Sequence, residues 1–329
     1  MRFTRVYVPD DPDPKLAVWD EALQGWVLLG CFWLSPTNIE DLPIDDMVDA
    51  NIREIELFNR PIWGEIRKAL DGISLPLSEN FPIYGWNGAL PPYAPLFSRS
   101  AKILCVGLNY AEHIKEFNHE FPTEPVIFCK ASSAINYYGA DILIPDCSTR
   151  VDYEGELVVV VGAECRNVSE EDALEYVAGY CVGNDVSARD WQKDKPGGQW
   201  LLGKSFDSFA PIGPWFVTRD EVGDPNDLAI ETRVNGKVMQ SSSTKNFIFK
   251  IPQLISYLSQ VMTLKPGDLI FTGTPNGVGD VRKPPVYLQP GDVVSVEIEK
   301  VGKLVNPVRR YCEDDEPWRV PSIGLPKTK

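Results

Sequence analysis

At 329 residues the chain exceeds the usual single-domain length, so one large domain with a smaller companion is the natural expectation. A hydrophobic content of 43% is enough to build a sizeable core, which excludes disorder as the main state. The 32 basic residues against 47 acidic ones, a net charge of −15, argue against nucleic acid or an anionic membrane as main partner, since both reward clustered Lys and Arg.

In chain order, Arg2 to Val8, Leu16 to Asp20 and Gly25 to Leu29 read as short strands, followed by a helical pattern from about Ile39 to Leu70. The opening MRFTRVYVPDDPDPK lacks the apolar segment of a secretion signal, and no stretch approaches the roughly 20 apolar residues that span a bilayer. A soluble cytoplasmic protein is therefore expected. Leu90-Pro91-Pro92-Tyr93-Ala94-Pro95 is a stiff connector that sets a small N-terminal domain at 1–95, a main domain at 100–310 and a tail at 311–329. Within the main domain, Ile103 to Val106, Val126 to Cys129, Leu157 to Val161, Leu228 to Val234, Leu269 to Thr272 and Val293 to Ile298 read as strands. Asn235-Gly236 signals a hairpin, and Pro-Gly-Asp at 266–268 and 290–292 each precedes a strand, which favours an antiparallel, mostly β architecture. Two packing helices are expected inside it. One runs from Ser169 to about Cys181, with Leu174, Val177, Ala178 and Cys181 apolar; the other runs from Ile251 to Met262. Seven cysteines without a C-x-x-C pair suit a reducing compartment rather than a zinc site.

The most informative local feature is Asp152-Tyr153-Glu154-Gly155-Glu156 leading into Leu157 to Val161. Residues two apart on a strand share a face, so Glu154 and Glu156 project together where an apolar strand begins. Neighbouring carboxylates repel unless they share a proton, meet cations or coordinate a hard cation, and Gly155 leaves room on the opposite face. A solvated strand start is the plain alternative. Asp185, in Gly183-Asn184-Asp185-Val186, is a third acid in apolar surroundings, and three oxygen donors without a cysteine or histidine cluster suit Mg²⁺, Mn²⁺ or Ca²⁺. His113 and Glu116 lie three apart on a short helix after Asn109, either an oriented imidazole or an ordinary surface pair. Lys204 sits among apolar residues and glycines, placed to stabilise an enolate or to snorkel to solvent. Arg189, Asp190 and Gln192 either line the same cleft or cap a loop. The glycine-rich Thr272 to Gly279 segment matches neither a P-loop nor a dinucleotide fingerprint.

In order and spacing, GLNYAEHIKE, EPVIFCK, DYEGELVVVVG, GNDVSARDWQ, GQWLLGKSFDSFAPIGP, VNGKVMQ, PGDLIFTGTPNGVG and PGDVVSVEIE resemble the fumarylacetoacetate hydrolase family from about Cys105 to Glu299. The resemblance implies an α+β, mostly β protein: a distorted β-roll catalytic domain with a smaller N-terminal α/β domain. It also implies a homodimer, one Mg²⁺ or Mn²⁺, and a small 2-oxo or β-dicarbonyl acid as substrate. On matching positions it makes Glu154, Glu156 and Asp185 the metal ligands. His113 and Glu116 become a proton-moving dyad and Lys204 the enolate-stabilising lysine, with Lys130, Gln192 and Thr274 against the substrate; Arg189, from the residue reading, is expected beside them. Asn136-Tyr137-Tyr138-Gly139 departs from the small residues of relatives, which puts Tyr137 at the substrate end. Position 109 is asparagine rather than a fourth carboxylate. The implied activity is metal-dependent cleavage of the C–C bond of acylpyruvate-type acids. The alternative is oxaloacetate tautomerisation or decarboxylation, which the SARDWQ and QWLLGK segments favour.

Overall fold

A computed structural model of the protein describes residues 1–8, 11–21, 25–28, 83–84, 93, 96–97, 102–116 and 120–312. The expected 39–70 helix, most of the 90–95 connector and nearly all of the tail lie outside the described residues. The strands are β1 (Arg2–Val8), β2 (Asp11–Asp20), β3 (Gly25–Leu28), β4 (Ile83–Tyr84), β5 (Ile103–Gly107), β6 (Val126–Lys130), β7 (Ile135–Tyr137), β8 (Ile142–Ile144) and β9 (Val151–Asp152). They continue with β10 (Gly155–Val161), β11 (Val177–Asn184), β12 (Ser187–Ala188), β13 (Ala210–Thr218), β14 (Ala229–Val234), β15 (Lys237–Ser243), β16 (Leu269–Phe271), β17 (Val293–Ile298) and β18 (Gly302–Arg310). The helices are α1 (Ala111–Glu116), α2 (Arg189–Lys193), α3 (Trp200–Lys204), α4 (Arg219–Val222) and α5 (Ile251–Val261).

One large sheet has the order β4-β3-β2-β1-β13-β11-β10-β16-β5-β6, with β7 alongside β13; a second has the order β15-β14-β17-β18-β8. Most pairings are antiparallel, as the turn signals predict, but β5–β16, β7–β13 and β8–β18 are parallel. At the Asn235-Gly236 turn both residues have positive φ, 52° and 77°, the geometry that joins β14 to β15 directly at Val234↔Lys237.

Strand β10 organises the centre. Its Val158 and Val160 enter one apolar cluster with Phe3, Cys181 and Phe271, while Leu157, Val159 and Val161 enter another with Ile230, Val296 and Leu258 of α5. Alternate side chains of one strand thus feed two cores, which is why the run is continuously apolar. Glu154 and Glu156 share the parity of Val158. On the other face Gly155 is packed rather than open: a Cβ there would meet Thr232 Oγ1 at 2.1 Å and Val296 Cγ1 at 2.9 Å. The room expected beside Gly155 is filled by the second sheet.

The Ser169–Cys181 helix is not formed. Ser169 does cap, its Oγ accepting from Asp172 N at 3.2 Å, but only a 3₁₀ turn over Ala173–Tyr176 follows before β11 begins. Val177–Asn184 pairs on both sides, with β10 and β13, and Gly179 brings its Cα close to the Val217 carbonyl. Two ladders of backbone hydrogen bonds outweigh a helix propensity that is weak in a segment with Gly179 and Gly183. Helix α5 does form, its N-terminal Lys250 N–H donating to Gln253 Oε1 at 2.8 Å and Leu254, Ile255 and Leu258 facing the core. No helix among the described residues is long and apolar enough to cross a membrane.

Substituting Gly155→Ala should lower unfolding stability by about 1–3 kcal/mol through overpacking. Urea unfolding monitored by tryptophan fluorescence reads it, and an unchanged midpoint would show that the second sheet yields at this point.

Candidate active site

Four chain segments meet at one rim of the large sheet. β10 runs antiparallel to β11 and β16, and β5 runs parallel to β16. The start of β10, the end of β11 and the segments after β16 and β5 therefore converge, carrying Glu154 and Glu156, Asp185, Thr274 and the Gly107–Asn109 turn into α1. Asn109 ties this rim together: its Nδ2 donates to Thr272 O at 2.7 Å and its Oδ1 accepts from Phe249 N at 2.8 Å.

The carboxylates of Glu154, Glu156 and Asp185 are all buried, and one oxygen from each lies within 4.8 Å of the others. Lys204 Nζ donates to Glu154 Oε2 at 2.8 Å and to Asp185 Oδ2 at 2.7 Å. Lys130 Nζ donates to Asp185 Oδ1 at 2.5 Å, and Arg189 Nη2 lies 2.6 Å from Glu154 Oε1. Burial alone would raise Glu154, but Lys204 and Arg189, with His113 behind them, hold it down at about 2. Lys204 is pushed the other way: burial lowers it, and Asp185 and Glu154 overcome that to keep it charged. Glu156 differs from both. Among the described residues it makes no ion pair, and its recorded bond is from Gly273 N at 2.7 Å. Burial, Asp185 and Glu154 together raise it well above the usual carboxylate range.

This arrangement fits a divalent cation. Oxygens that ligate one Mg²⁺ or Mn²⁺ at about 2.0–2.6 Å stand at most about 5 Å apart, which the triad satisfies. Glu156, which has no side-chain cation beside it among the described residues, would ionise against a bound cation.

Glu154 and Glu156 open on a cleft of about 480 Å³, counted with space that is open to solvent, with Val106, Gly107, Leu108, Phe128 and Trp200 on its apolar side and His113, Arg189, Gln192, Lys193, Lys204 and Thr274 among its polar groups. His113 is buried, its Nδ1 3.4 Å from Glu116 Oε2. Glu116 is held in turn by Gly277 N, at 2.8 Å from Oε1 and 3.0 Å from Oε2, so the glycine-rich loop positions the dyad. Arg189 Nη1 donates to Gln192 Oε1 at 2.9 Å, which leaves the Gln192 amide with its NH₂ group as the donor it can offer a ligand.

Two residues expected against a substrate, Lys130 and Tyr137, stand outside the cleft lining. Lys130 is enclosed behind Asp185, bonded also to Val186 O at 3.1 Å. Tyr137 lies on β7, paired with β13, and does not line the cleft; the neighbouring Tyr138 packs on Tyr93 with ring centroids 5.1 Å apart. Parallel pairing with β13 carries this segment toward the N-terminal strands. Thr274 does line the cleft, but its hydroxyl donates to Gly155 O at 3.0 Å and accepts from Gln240 Nε2 at 2.7 Å. Asp190 caps a loop, its carboxylate accepting from Ser148 Oγ and Thr149 N.

Asp152, Phe128 and Trp200 were not singled out by the motifs. Asp152 is fully buried; it accepts from Gly279 N at 2.8 Å, Asp280 N at 3.0 Å and Arg189 Nε at 2.9 Å, and so aims Arg189. Trp200 stacks edge-on against Phe128 and covers Gly107, where a Cβ would meet its Cζ3 at 2.6 Å. The signal for Asp152 was its place two residues before Glu154 in the same acidic run, although it ends β9 rather than lying on β10.

The model of the fumarylacetoacetate hydrolase C-terminal family matches residues 102–309. A Dictyostelium discoideum relative, named fumarylacetoacetate hydrolase domain-containing protein 2 homolog, is 56% identical over 217 residues, covering 63% of this chain and 71% of the relative. A Xenopus laevis relative, named oxaloacetate tautomerase fahd2, mitochondrial, is 51% identical over 309 residues, covering 94% and 90%. Among solved structures, a fumarylacetoacetate hydrolase from Exiguobacterium antarcticum superposes with a TM-score of 0.75 at 34% identity, covering 94% of this chain and all of that one. A 5-carboxymethyl-2-hydroxymuconate delta-isomerase from Mycobacterium smegmatis gives 0.65 at 33%, covering 95% and 100%. The α+β, mostly β architecture is the one these structures share.

Without a cation the raised Glu156 favours its protonated form, so its contribution to stability falls as pH rises through its folded value. A divalent cation takes the carboxylate form. Added Mg²⁺ should therefore raise the melting temperature more at pH 8 than at pH 6, by a few degrees at roughly 2–4 °C per kcal/mol. Glu154, already ionised at both values, adds nothing to the difference. Differential scanning calorimetry of wild type and Glu156→Gln checks it, and the pH dependence should vanish in the variant.

Proposed function

The chain belongs to the fumarylacetoacetate hydrolase family, and from that premise we propose that it is a divalent-cation-dependent tautomerase of oxaloacetate-like 2-oxo acids. The observation that carries this reading is the buried Glu154–Glu156–Asp185 cluster with Lys204 and His113 lining the same cleft. The Xenopus tautomerase, similar over nearly the whole chain, supports the choice of reaction.

Mg²⁺ or Mn²⁺ held by Glu154, Glu156 and Asp185 would polarise the 2-oxo group and disperse the charge of the enolate. Lys204, kept charged between Glu154 and Asp185, donates to the C2 oxygen where negative charge collects. His113 takes a proton from C3 at Nε2 and delivers it to the C2 oxygen to give the enol, running the same transfer backwards from enol to keto, while Glu116 facing Nδ1 stabilises the imidazolium in between. Gln192, oriented by Arg189, donates to a substrate oxygen. Phe128 and Trp200 exclude water from one side of the enolate.

The second reading is hydrolysis of the C3–C4 bond of a 2,4-dioxo acid, favoured by a His–Glu pair on a cleft that opens to solvent and by the Exiguobacterium hydrolase. There His113 would activate water rather than move a proton on carbon. A homodimer belongs to this proposal, and the mitochondrial relatives make the mitochondrion the alternative to a cytoplasmic location.

Proton NMR of the protein with Mg²⁺ and oxaloacetate, against an EDTA control, should show faster enol–keto exchange with the carbon skeleton intact. Acetate and pyruvate appearing from acetylpyruvate, with no effect on oxaloacetate exchange, would transfer the assignment to the hydrolase. His113→Ala should lower the exchange rate by about 10²–10⁴-fold; full activity in that variant would sink the proton-transfer role.

A further inference from the structure

We propose that Lys193 reads the second carboxylate of a dicarboxylic 2-oxo acid and so sets a preference of this chain for oxaloacetate-like acids over monocarboxylic ones. The inference rests on the proposed function and goes beyond it by assigning specificity to a residue at the mouth of the cleft.

Charge at the site is the first argument. With all four ionised, as a bound cation requires, the buried carboxylates Asp152, Glu154, Glu156 and Asp185 face three buried cations, Lys130, Arg189 and Lys204, which leaves one negative charge over. A divalent cation converts that to one surplus positive charge, which the carboxylate beside the 2-oxo group matches. A second carboxylate then has no counter-charge inside the cluster. Burying it unpaired is costly, so it needs a cation on the cleft wall.

Of the basic residues on that wall, Arg189 and Lys204 are 2% exposed and each bridges two carboxylates. Lys193 lines the same cleft, directly after Gln192, with its side chain 36% exposed. Its Nζ donates to Asp280 Oδ2 at 2.6 Å. Lys193 is the strongest of the groups that hold Asp280 ionised, but Asp280 keeps other partners without it, because Arg150 Nη2 at 2.9 Å and the Tyr287 hydroxyl at 2.5 Å both donate to its Oδ1. Lys193 can therefore swing its ammonium to an incoming carboxylate while Asp280 stays compensated. A solvated lysine on a flexible stem suits this exchange better than the locked Arg189.

The test compares two stable 2-hydroxy acids of equal backbone length, malate with two carboxylates and 2-hydroxybutyrate with one, by calorimetry on the Mg²⁺-loaded protein. Lys193→Gln should weaken malate roughly tenfold to a hundredfold, with 2-hydroxybutyrate unchanged and Lys193→Arg close to wild type. With oxaloacetate, the same variant should raise KM and leave kcat within about twofold, a split that loss of fold would not give. Equal weakening of both acids, or of neither, overturns the assignment. If wild type prefers malate and the variant loses that preference while oxaloacetate is not turned over, Lys193 stands and the tautomerase reading fails. If oxaloacetate is turned over without any preference for malate, the reverse holds.

Discussion

The contact on which this site depends is the Lys204 ammonium held between Glu154 and Asp185. Both acids are buried, and carboxylates brought this close in a medium of low polarity repel strongly unless a cation stands between them. Lys204 supplies one, Lys130 backs Asp185 from behind, and Arg189 closes Glu154 from the other side. Compensation is deliberately incomplete at Glu156, whose recorded partner is a backbone N–H. A fold that stabilises two acids with fixed cations and leaves the third without one has built a position where a mobile divalent charge is favourable. The same incomplete compensation makes the site sensitive to the charge of whatever enters.

Such a cluster survives only on a rigid base. Strand β10 is clamped by β11 and β16 and sends alternate side chains into two separate cores, so the two glutamates at its start inherit the position of a strand held on both edges and both faces. Gly155 between them lets Thr232 and Val296 of the second sheet come into contact with the backbone. The close packing on one face and the acids on the other are parts of one arrangement: the second sheet packs against the strand at Gly155 while the charges on its opposite face converge.

The groups that would move protons sit on lighter supports. His113 and Glu116 occupy a helix of six residues, and the glycine-rich loop after β16 reaches over to fix Glu116 through Gly277 N. Asp152 does a similar service for Arg189 by gathering the Gly279 and Asp280 amides. The loop from Thr272 to Asp280 thus acts as a second-tier scaffold, with backbone amides binding acids that in turn orient the histidine and the arginine. Its glycines bring those amides close to carboxylates rather than to phosphate, which agrees with the absence of any nucleotide signature.

The amino-acid sequence by itself determined the local pieces: the alternating and continuous apolar runs of β10, β14 and β17, the Asn235-Gly236 hairpin, the α5 stripe, and the i, i+2 pairing of Glu154 with Glu156. Those features rest on the period of a strand or helix and on turn chemistry, both set within a few residues. Only the tertiary structure decided that Val177–Asn184 is a strand, because two neighbouring ladders outweigh a locally plausible helix. It also decided that Asp185, 29 residues beyond Glu156, joins the same cluster, that Lys130 faces Asp185, that Thr274 turns its hydroxyl to Gly155, and that Tyr137 goes elsewhere. Burial and long-range pairing assign these roles, since a charge acquires its partners and its solvation only when segments distant in sequence are brought together.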